Sequence, residues 1–341
     1  MVLLDSHEKP VVIAEISGNH GGSLEKAKCL VDESAKAGAD YVKLQTYKPE
    51  TITVKSNDSR FRIKSGLWKG YNLHDLYSKA MTPWDWHKPL FDYAEKIGIK
   101  LFSSPFDETA VQFLEQEIDP ELYKIASFEL NHYPLLKEIG KTCKPVIASI
   151  GVSSDEVIEK GINCLRGAGC PEIILLHCVS EYPAKPEDFY LREMPLIKEK
   201  YQTDYGLSDH STGHLVAVAA TTLGASVIEK HITLDRKDDS IDGKFSMLPD
   251  EFAEMVKAVR VTAKVLGEDG KSKNISDESI FYKRSILVSQ EIKRGDRLTE
   301  GNIRIVRPGD GLCPSKWSEV LGKRASIDMD IGHPLSMENI I

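Results

Sequence analysis

Several features that would decide a protein's class are missing from this 341-residue chain. It has no run of about 18 apolar residues, so no segment is expected to span a membrane. Met1 to Pro10 carries Asp5, Glu8 and Lys9 and no apolar stretch, which argues against a secretory leader. The six cysteines, Cys29, Cys143, Cys164, Cys170, Cys178 and Cys313, show no C-x-x-C spacing. Neither a disulfide framework nor a zinc cluster is expected, and a reduced cytoplasm is the natural setting. Positive charge is in deficit: 44 Lys plus Arg stand against 52 Asp plus Glu, for a net charge of −8. Nucleic acid, whose phosphates call for a surplus of cations, is therefore not the expected partner. No strand candidate leads into a G-x-G-x-x-G turn. Gly18–Gly22 (GNHGG) follows the first one with the wrong spacing, which disfavours a dinucleotide-binding open sheet. No internal repeat or low-complexity segment stands out.

What the chain does have is alternation. Eight short β-rich runs recur, most separated by stretches long enough for one helix: Val11–Ser17, Tyr41–Thr46, Lys100–Ser104, Leu122–Ser127, Pro145–Ile150, Ile173–His177, Asp204–Ser208 and Ser226–His231. Continuous apolar runs between helices indicate parallel strands buried on both faces. Eight such units fit an α/β fold of the (β/α)8 TIM-barrel type over residues 1–266. Gly267–Ser276 (GEDGKSKNIS) opens a polar linker expected over 267–281. Residues 282–341 form a second, small module with short strands at Ser285–Ser289 and Arg304–Val306. It holds ten Lys/Arg and eight Asp/Glu, so it is slightly basic beside an acidic remainder.

The strand candidates carry polar residues at or near their C-terminal ends. They are Glu15, Lys43 with Gln45, Ser104, Lys124 with Ser127 and Glu129, Ser149, His177, Ser208 with His210, and Lys230 with His231. A barrel gathers these ends at one mouth. A buried charge must be paired or ligated, so their recurrence points to one polar site rather than to packing. Period-two alternation puts Lys43 and Gln45 on one face, and Glu229 and His231 on one face. Lys230 then points the other way unless the strand ends there. His210 and His231, on neighbouring strands, suit either a shared divalent cation or a hydrogen-bonded structural pair. Lys43 and Lys124 with Ser127, Ser149 and Ser208 suit a phosphate or carboxylate cradle, or else ion pairs with Glu15 and Glu129. Glu15 and Glu129 are either an acid/base pair or neutralising charges. Trp68, Trp84 and Trp86, in the long insertion from Pro49 to His87, read as a satellite core. The acidic run Asp235–Asp242 reads as a solvated loop whose last residue can overhang the mouth.

At these same residues the chain resembles the phosphoenolpyruvate-dependent sialic-acid synthases. The matching pieces are Ile13–His20 (IAEISGNH), Ala37–Thr46 (AGADYVKLQT), Ser103–Asp107 (SSPFD), Tyr123–Glu129 (YKIASFE), Lys144–Gly151 (KPVIASIG), Leu175–Ala184 (LLHCVSEYPA), Gly206–Gly213 (GLSDHSTG), Ile228–Leu234 (IEKHITL) and Arg307–Gly311 (RPGDG). The resemblance implies a TIM barrel followed by a small antifreeze-like (SAF) domain. It also implies condensation of phosphoenolpyruvate with an N-acetylated amino sugar to a nine-carbon 2-keto acid, with release of phosphate. A divalent cation, Mn2+, Mg2+ or Co2+, is implied at His210 and His231. Lys43, Lys124, Ser127, Ser149 and Ser208 match positions that hold phosphoenolpyruvate. Glu15, Gln45, Tyr182 and Asp242 match substrate-contacting positions, Glu15 being with Glu129 a catalytic candidate, and Glu129 matches the acid beside the reacting carbon. Arg307 is similar to an arginine that the SAF domain of one subunit places over its partner's barrel, which implies a domain-swapped homodimer.

Within the family, Phe61–His87 (FRIKSGLWKGYNLHDLYSKAMTPWDWH) is similar to the pseudaminic acid synthases. Their sugar is 2,4-diacetamido-2,4,6-trideoxy-L-altrose. His177–Tyr182 (HCVSEY) is closer to the general sialic-acid pattern, and Ser240-Ile241-Asp242 lacks the usual Gly-Pro before its Asp. N-acetylneuraminate and legionaminate synthases are the alternatives. Outside the family, a Schiff-base pyruvate lyase with Lys124 as the covalent amine and a non-catalytic sugar-binding protein are the rival readings.

Overall fold

The structure is a computed structural model that describes residues 10–267 and 275–341. The chain divides into two compact units, Met1–Gly267 and Glu268–Ile341. The first is a barrel of eight parallel strands: β1 (Val11–Glu15), β2 (Tyr41–Thr46), β3 (Lys100–Pro105), β4 (Tyr123–Ile125), β5 (Val146–Ser149), β6 (Ile173–Cys178), β7 (Asp204–Asp209) and β8 (Val227–His231). They pair in chain order, and β8 closes on β1 with Glu15 opposite His231. Two expectations shift. The first strand stops at Glu15, and Ser17–His20 is a 3₁₀ turn. The fourth strand is only three residues long, so Ser127 and Glu129 lie in the turn after it.

Alternation sorts the strand residues into two shells. Outward-facing Val12, Ala14, Val42 and Leu44 pack under the surrounding helices. Inward-facing Val11, Ile13, Tyr41, Phe102, Leu122, Ile147, Ile174, Leu176 and Val227 fill the lower lumen. Two residues further along the same faces come Glu15, Lys43, Ser104, Lys124, Ser149, Cys178 and Glu229. The lumen therefore changes from apolar to charged within one layer. Gly206 permits closure there, because a Cβ at that position would lie 2.3 Å from the Val227 carbonyl oxygen.

The helices begin and end where side-chain chemistry directs. Ser23, Asp107 and Ser154 accept from backbone amides of the first turn. Gly98 and Gly169 close their helices in the left-handed region. No helix of the described residues is long and apolar enough to cross a membrane.

In the second unit, β9 (Ser285–Val288) pairs antiparallel with β10 (Ile303–Val306). Ile286, Val288, Leu298, Ile303, Val320 and Leu335 form its own core. The linker expected at 267–281 needs correction at its end. Asp277–Phe281 is a helix whose N-cap, Ser276, accepts from the Ser279 amide. Residues 268–274 of that linker lie outside the described residues.

Candidate active site

The charged layer of the lumen is wired through one residue that strand-end reasoning passed over, Glu229. Its Oε2 lies 2.9 Å from Lys43 Nζ and its Oε1 3.5 Å from Lys124 Nζ. Ser208 Oγ donates to Oε1 at 3.0 Å. Lys43 also meets Glu15 Oε2 at 2.5 Å, and Lys124 donates to Ser149 Oγ at 2.7 Å. The signal for Glu229 was present in the shared face with His231. Burial opposes its charge, but the Lys124 and Lys43 ammoniums outweigh burial and hold the carboxyl far below the carboxylate range. Lys43 is pulled down to about 7, first by burial and then by repulsion from Lys124, against the attraction of Glu229. The pairing expected between these lysines and Glu129 is thus taken mainly by Glu229.

Around this cluster the other expected residues take distinct positions. Glu15 Oε1 accepts from both the backbone N and Oγ of Ser17, each at 2.6 Å. Gln45 Nε2 donates to the same Ser17 hydroxyl at 3.0 Å. Ser17 holds this position with φ +37°, in the left-handed region that disfavours a side chain. Ser127 Oγ and Glu129 Oε2 are buried and without a hydrogen-bond partner. Burial pushes the Glu129 carboxyl up to about 7 against the pull of Lys124. Asp242 is buried with its carboxyl raised to about 6, chiefly by burial, and accepts weakly from the Gly18 amide at 3.4 Å.

Two strand-end residues do not join the site. His177 faces outward, its Nε2 donating to the Phe189 carbonyl at 2.5 Å, while Cys178 takes the inward position. Lys230 also faces outward and pairs with Asp209. Arg307 lies in the second unit, exposed, with Nε donating to the Tyr282 carbonyl at 2.6 Å.

His210 and His231 face each other with ring centroids 5.3 Å apart. His210 Nδ1 is 2.9 Å from the Val179 carbonyl, which leaves its Nε2 for another partner. His231 Nδ1 is buried and has no hydrogen-bond partner. Burial, and then the neighbouring His210, hold His231 well below its ordinary value, so it is a neutral imidazole. A neutral, orphaned imidazole nitrogen beside a second histidine fits a divalent cation. Among the described residues no third His, Cys, Asp or Glu completes a metal cluster with them. The pair therefore fits an open site whose remaining positions fall to water or substrate.

The tryptophans divide. Trp84 stacks on Phe113 and Trp86 packs edge-on against His20, as satellite core. Trp68 instead reaches the mouth. It lies 5.2 Å from the Tyr182 ring, which in turn lies 4.4 Å from His210. Its indole N–H donates to the Ile241 carbonyl at 3.0 Å. The acidic loop is correspondingly pinned rather than free in solvent: Lys26 pairs with Asp238, and Lys79 with Asp239 at 2.6 Å.

Unsatisfied polar atoms at the C-terminal strand ends are where TIM-barrel enzymes do their chemistry, and this chain is built as one of that class. More narrowly, the chain belongs to the NeuB family, whose pattern matches residues 30–271, and a SAF domain follows at 283–341. It is 43% identical over 335 residues to a pseudaminic acid synthase of Campylobacter jejuni, covering 97% of this chain and 96% of that one. It is 40% identical to a pseudaminic acid synthase of Helicobacter pylori, covering 98% of both. The crystal structure of an N-acetylneuraminic acid synthetase from Leptospira borgpetersenii matches with a TM-score of 0.70 at 32% identity. That match covers 79% of this chain and 89% of the other.

Proposed function

We propose that this enzyme condenses phosphoenolpyruvate, 2,4-diacetamido-2,4,6-trideoxy-L-altrose and water to pseudaminic acid and phosphate. The observation that carries the reading is the buried Glu15–Lys43–Glu229–Lys124 cluster beside two facing imidazoles, in a chain 40–43% identical to pseudaminic acid synthases. In this reading Lys43 and Lys124, with Ser127, Ser149 and Ser208, hold the phosphate and carboxylate of phosphoenolpyruvate. An arriving anion raises the proton affinity of Lys43 and so favours its ammonium form. Glu229 keeps the two lysines apart and aimed.

The methylene carbon of phosphoenolpyruvate forms a bond to the aldehyde carbon of the sugar. Water adds at the former enol carbon, and the C–O bond to phosphate breaks. His210 and His231 would hold a divalent cation, Mn2+, Mg2+ or Co2+, which would supply Lewis-acid polarisation of the aldehyde oxygen. Glu129 has a free oxygen and a carboxyl poised at about 7, so it takes the proton from the attacking water. Both oxygens of Glu15 are engaged by Ser17 and Lys43, so it orients the site and moves no proton. Gln45, Tyr182 and Asp242 contact the sugar.

The dimer reading, with Arg307 completing a partner's site, is supported by exposed Phe128, Val152 and Tyr190 on the loops after β4, β5 and β6. A monomer by light scattering removes it. The function itself is tested by phosphate release. Phosphoenolpyruvate is offered with the diacetamido trideoxy altrose, with its legionaminate-pathway counterpart and with N-acetylmannosamine. Release with the first is expected. Preference for either of the others reassigns the substrate, and release with none sinks the reading.

A further inference from the structure

Behind the two histidines, on the outer face of the same strands, lies a second buried ion pair that the condensation does not use. Lys230 Nζ donates to Asp209 Oδ2 at 2.6 Å and to the Ser211 carbonyl at 2.7 Å. The other oxygen of Asp209 accepts from the Ser211 amide at 2.8 Å and from the Ser211 hydroxyl at 2.7 Å. The Lys230 and Asp209 side chains are 2% and 0% exposed. They are register partners across β7 and β8.

Stability does not require such a pair. Desolvating two charges is costly, and well-packed apolar residues in their place are often neutral or better. Its position is more informative. Asp209 and Ser211 flank His210, and Lys230 immediately precedes His231. The pair hooks the end of β7 to β8 on both sides of one histidine and next to the other. Beyond it, the segment after β7 meets the Val179–Ala184 turn through the Val179 carbonyl, which lies against the His210 ring, through the Ala184 amide, which donates to the His210 carbonyl at 3.0 Å, and through packing of Tyr182 on the His210 ring.

We propose that Asp209 and Lys230 form a clamp that sets the separation and orientation of the two imidazoles for cation binding. Both are positioning residues, and the inference rests on the reading of His210 and His231 as cation ligands. Loosening the shell behind a metal ligand weakens affinity about 10- to 100-fold.

The test is the Asp209→Leu/Lys230→Met double variant, which keeps the net charge. Mn2+ affinity is read from the electron paramagnetic resonance of free Mn2+. Phosphoenolpyruvate affinity is read by calorimetry without metal, and folding by thermal melting. The expected result is wild-type melting and phosphoenolpyruvate affinity, with Mn2+ bound about 10- to 100-fold more weakly. Wild-type Mn2+ affinity in the double variant overturns the clamp. If the double variant does not fold, Asp209→Asn keeps the shape and the Ser211 hydrogen bonds but removes the charge. It is expected to lose Mn2+ affinity alone, and equal loss of both ligands overturns the clamp. A wild-type enzyme whose Mn2+ binding is unchanged by His210→Ala overturns the cation reading, and the clamp with it.

Discussion

The two buried charge clusters on either side of β8 differ in one respect. The outer one, Lys230 with Asp209 and Ser211, is saturated: each carboxylate oxygen and the ammonium has short partners within the chain. The inner one, Glu229 with Lys43, Lys124 and Glu15, is bordered by atoms with no partner, on Ser127, Glu129 and His231. Buried polar groups in native proteins are almost always satisfied. A cluster left incomplete is waiting for something, whereas a complete one holds the backbone. The comparison teaches that burial and charge alone do not mark a binding site; of these two clusters, the one bordered by unmet hydrogen-bonding capacity is the one at the mouth.

The sharpest way to break this distinction is Glu129→Gln. If Glu129 is the unfinished part of the inner cluster, turnover falls about 10²- to 10⁴-fold. Phosphoenolpyruvate affinity, measured by calorimetry, stays near wild type. Wild-type turnover would mean that its orphaned oxygen is incidental.

A second contrast compares Lys230→Met with Lys124→Met by denaturant unfolding. Lys230→Met removes the sole ammonium from Asp209 and should cost about 3–5 kcal/mol. Lys124→Met leaves Glu229 with Lys43 and Ser208, so its stability loss should be the smaller, while its affinity for phosphoenolpyruvate falls. Equal stability losses would show that the two clusters are alike.

The smallest effect concerns pH. The Glu129 carboxyl is raised from the ordinary 4.5 to about 7, so between those values the folded state binds more protons than the unfolded chain. Its contribution to stability therefore declines as pH rises through that window and is least favourable above about 7. Glu129→Gln should be more stable than wild type by up to about 3 kcal/mol at pH 8, with the gain disappearing below about pH 4.5. A gain that does not depend on pH would attribute the effect to packing.

Much of the barrel could be read before any coordinates. Parallel strands buried on both faces leave continuous apolar runs, and all eight runs became strands, with no end moved by more than two residues. Alternation put Lys230 on the outer face only on condition that the strand did not end there, and the strand runs on to His231. His177 was misplaced because its strand continues to Cys178, and a shift of one residue exchanges the faces. Trp68 was grouped with its neighbours because composition cannot distinguish a ring that packs under a helix from one that crosses to the Tyr182 loop. Glu229 was passed over because attention fell on strand ends, while its contacts run across the lumen.

By itself the sequence determined which residues of each strand share a face, because side-chain direction in a strand follows chain position with period two. It also determined that charges would meet at one end of the barrel. Only the tertiary structure decided the partners: that Lys43 and Lys124 share Glu229, that Glu129 keeps an oxygen free, and that Asp209 and Lys230 lock behind the histidines. Those pairings are made between strands far apart in the chain, and their distances follow from barrel closure and register, which no local pattern records.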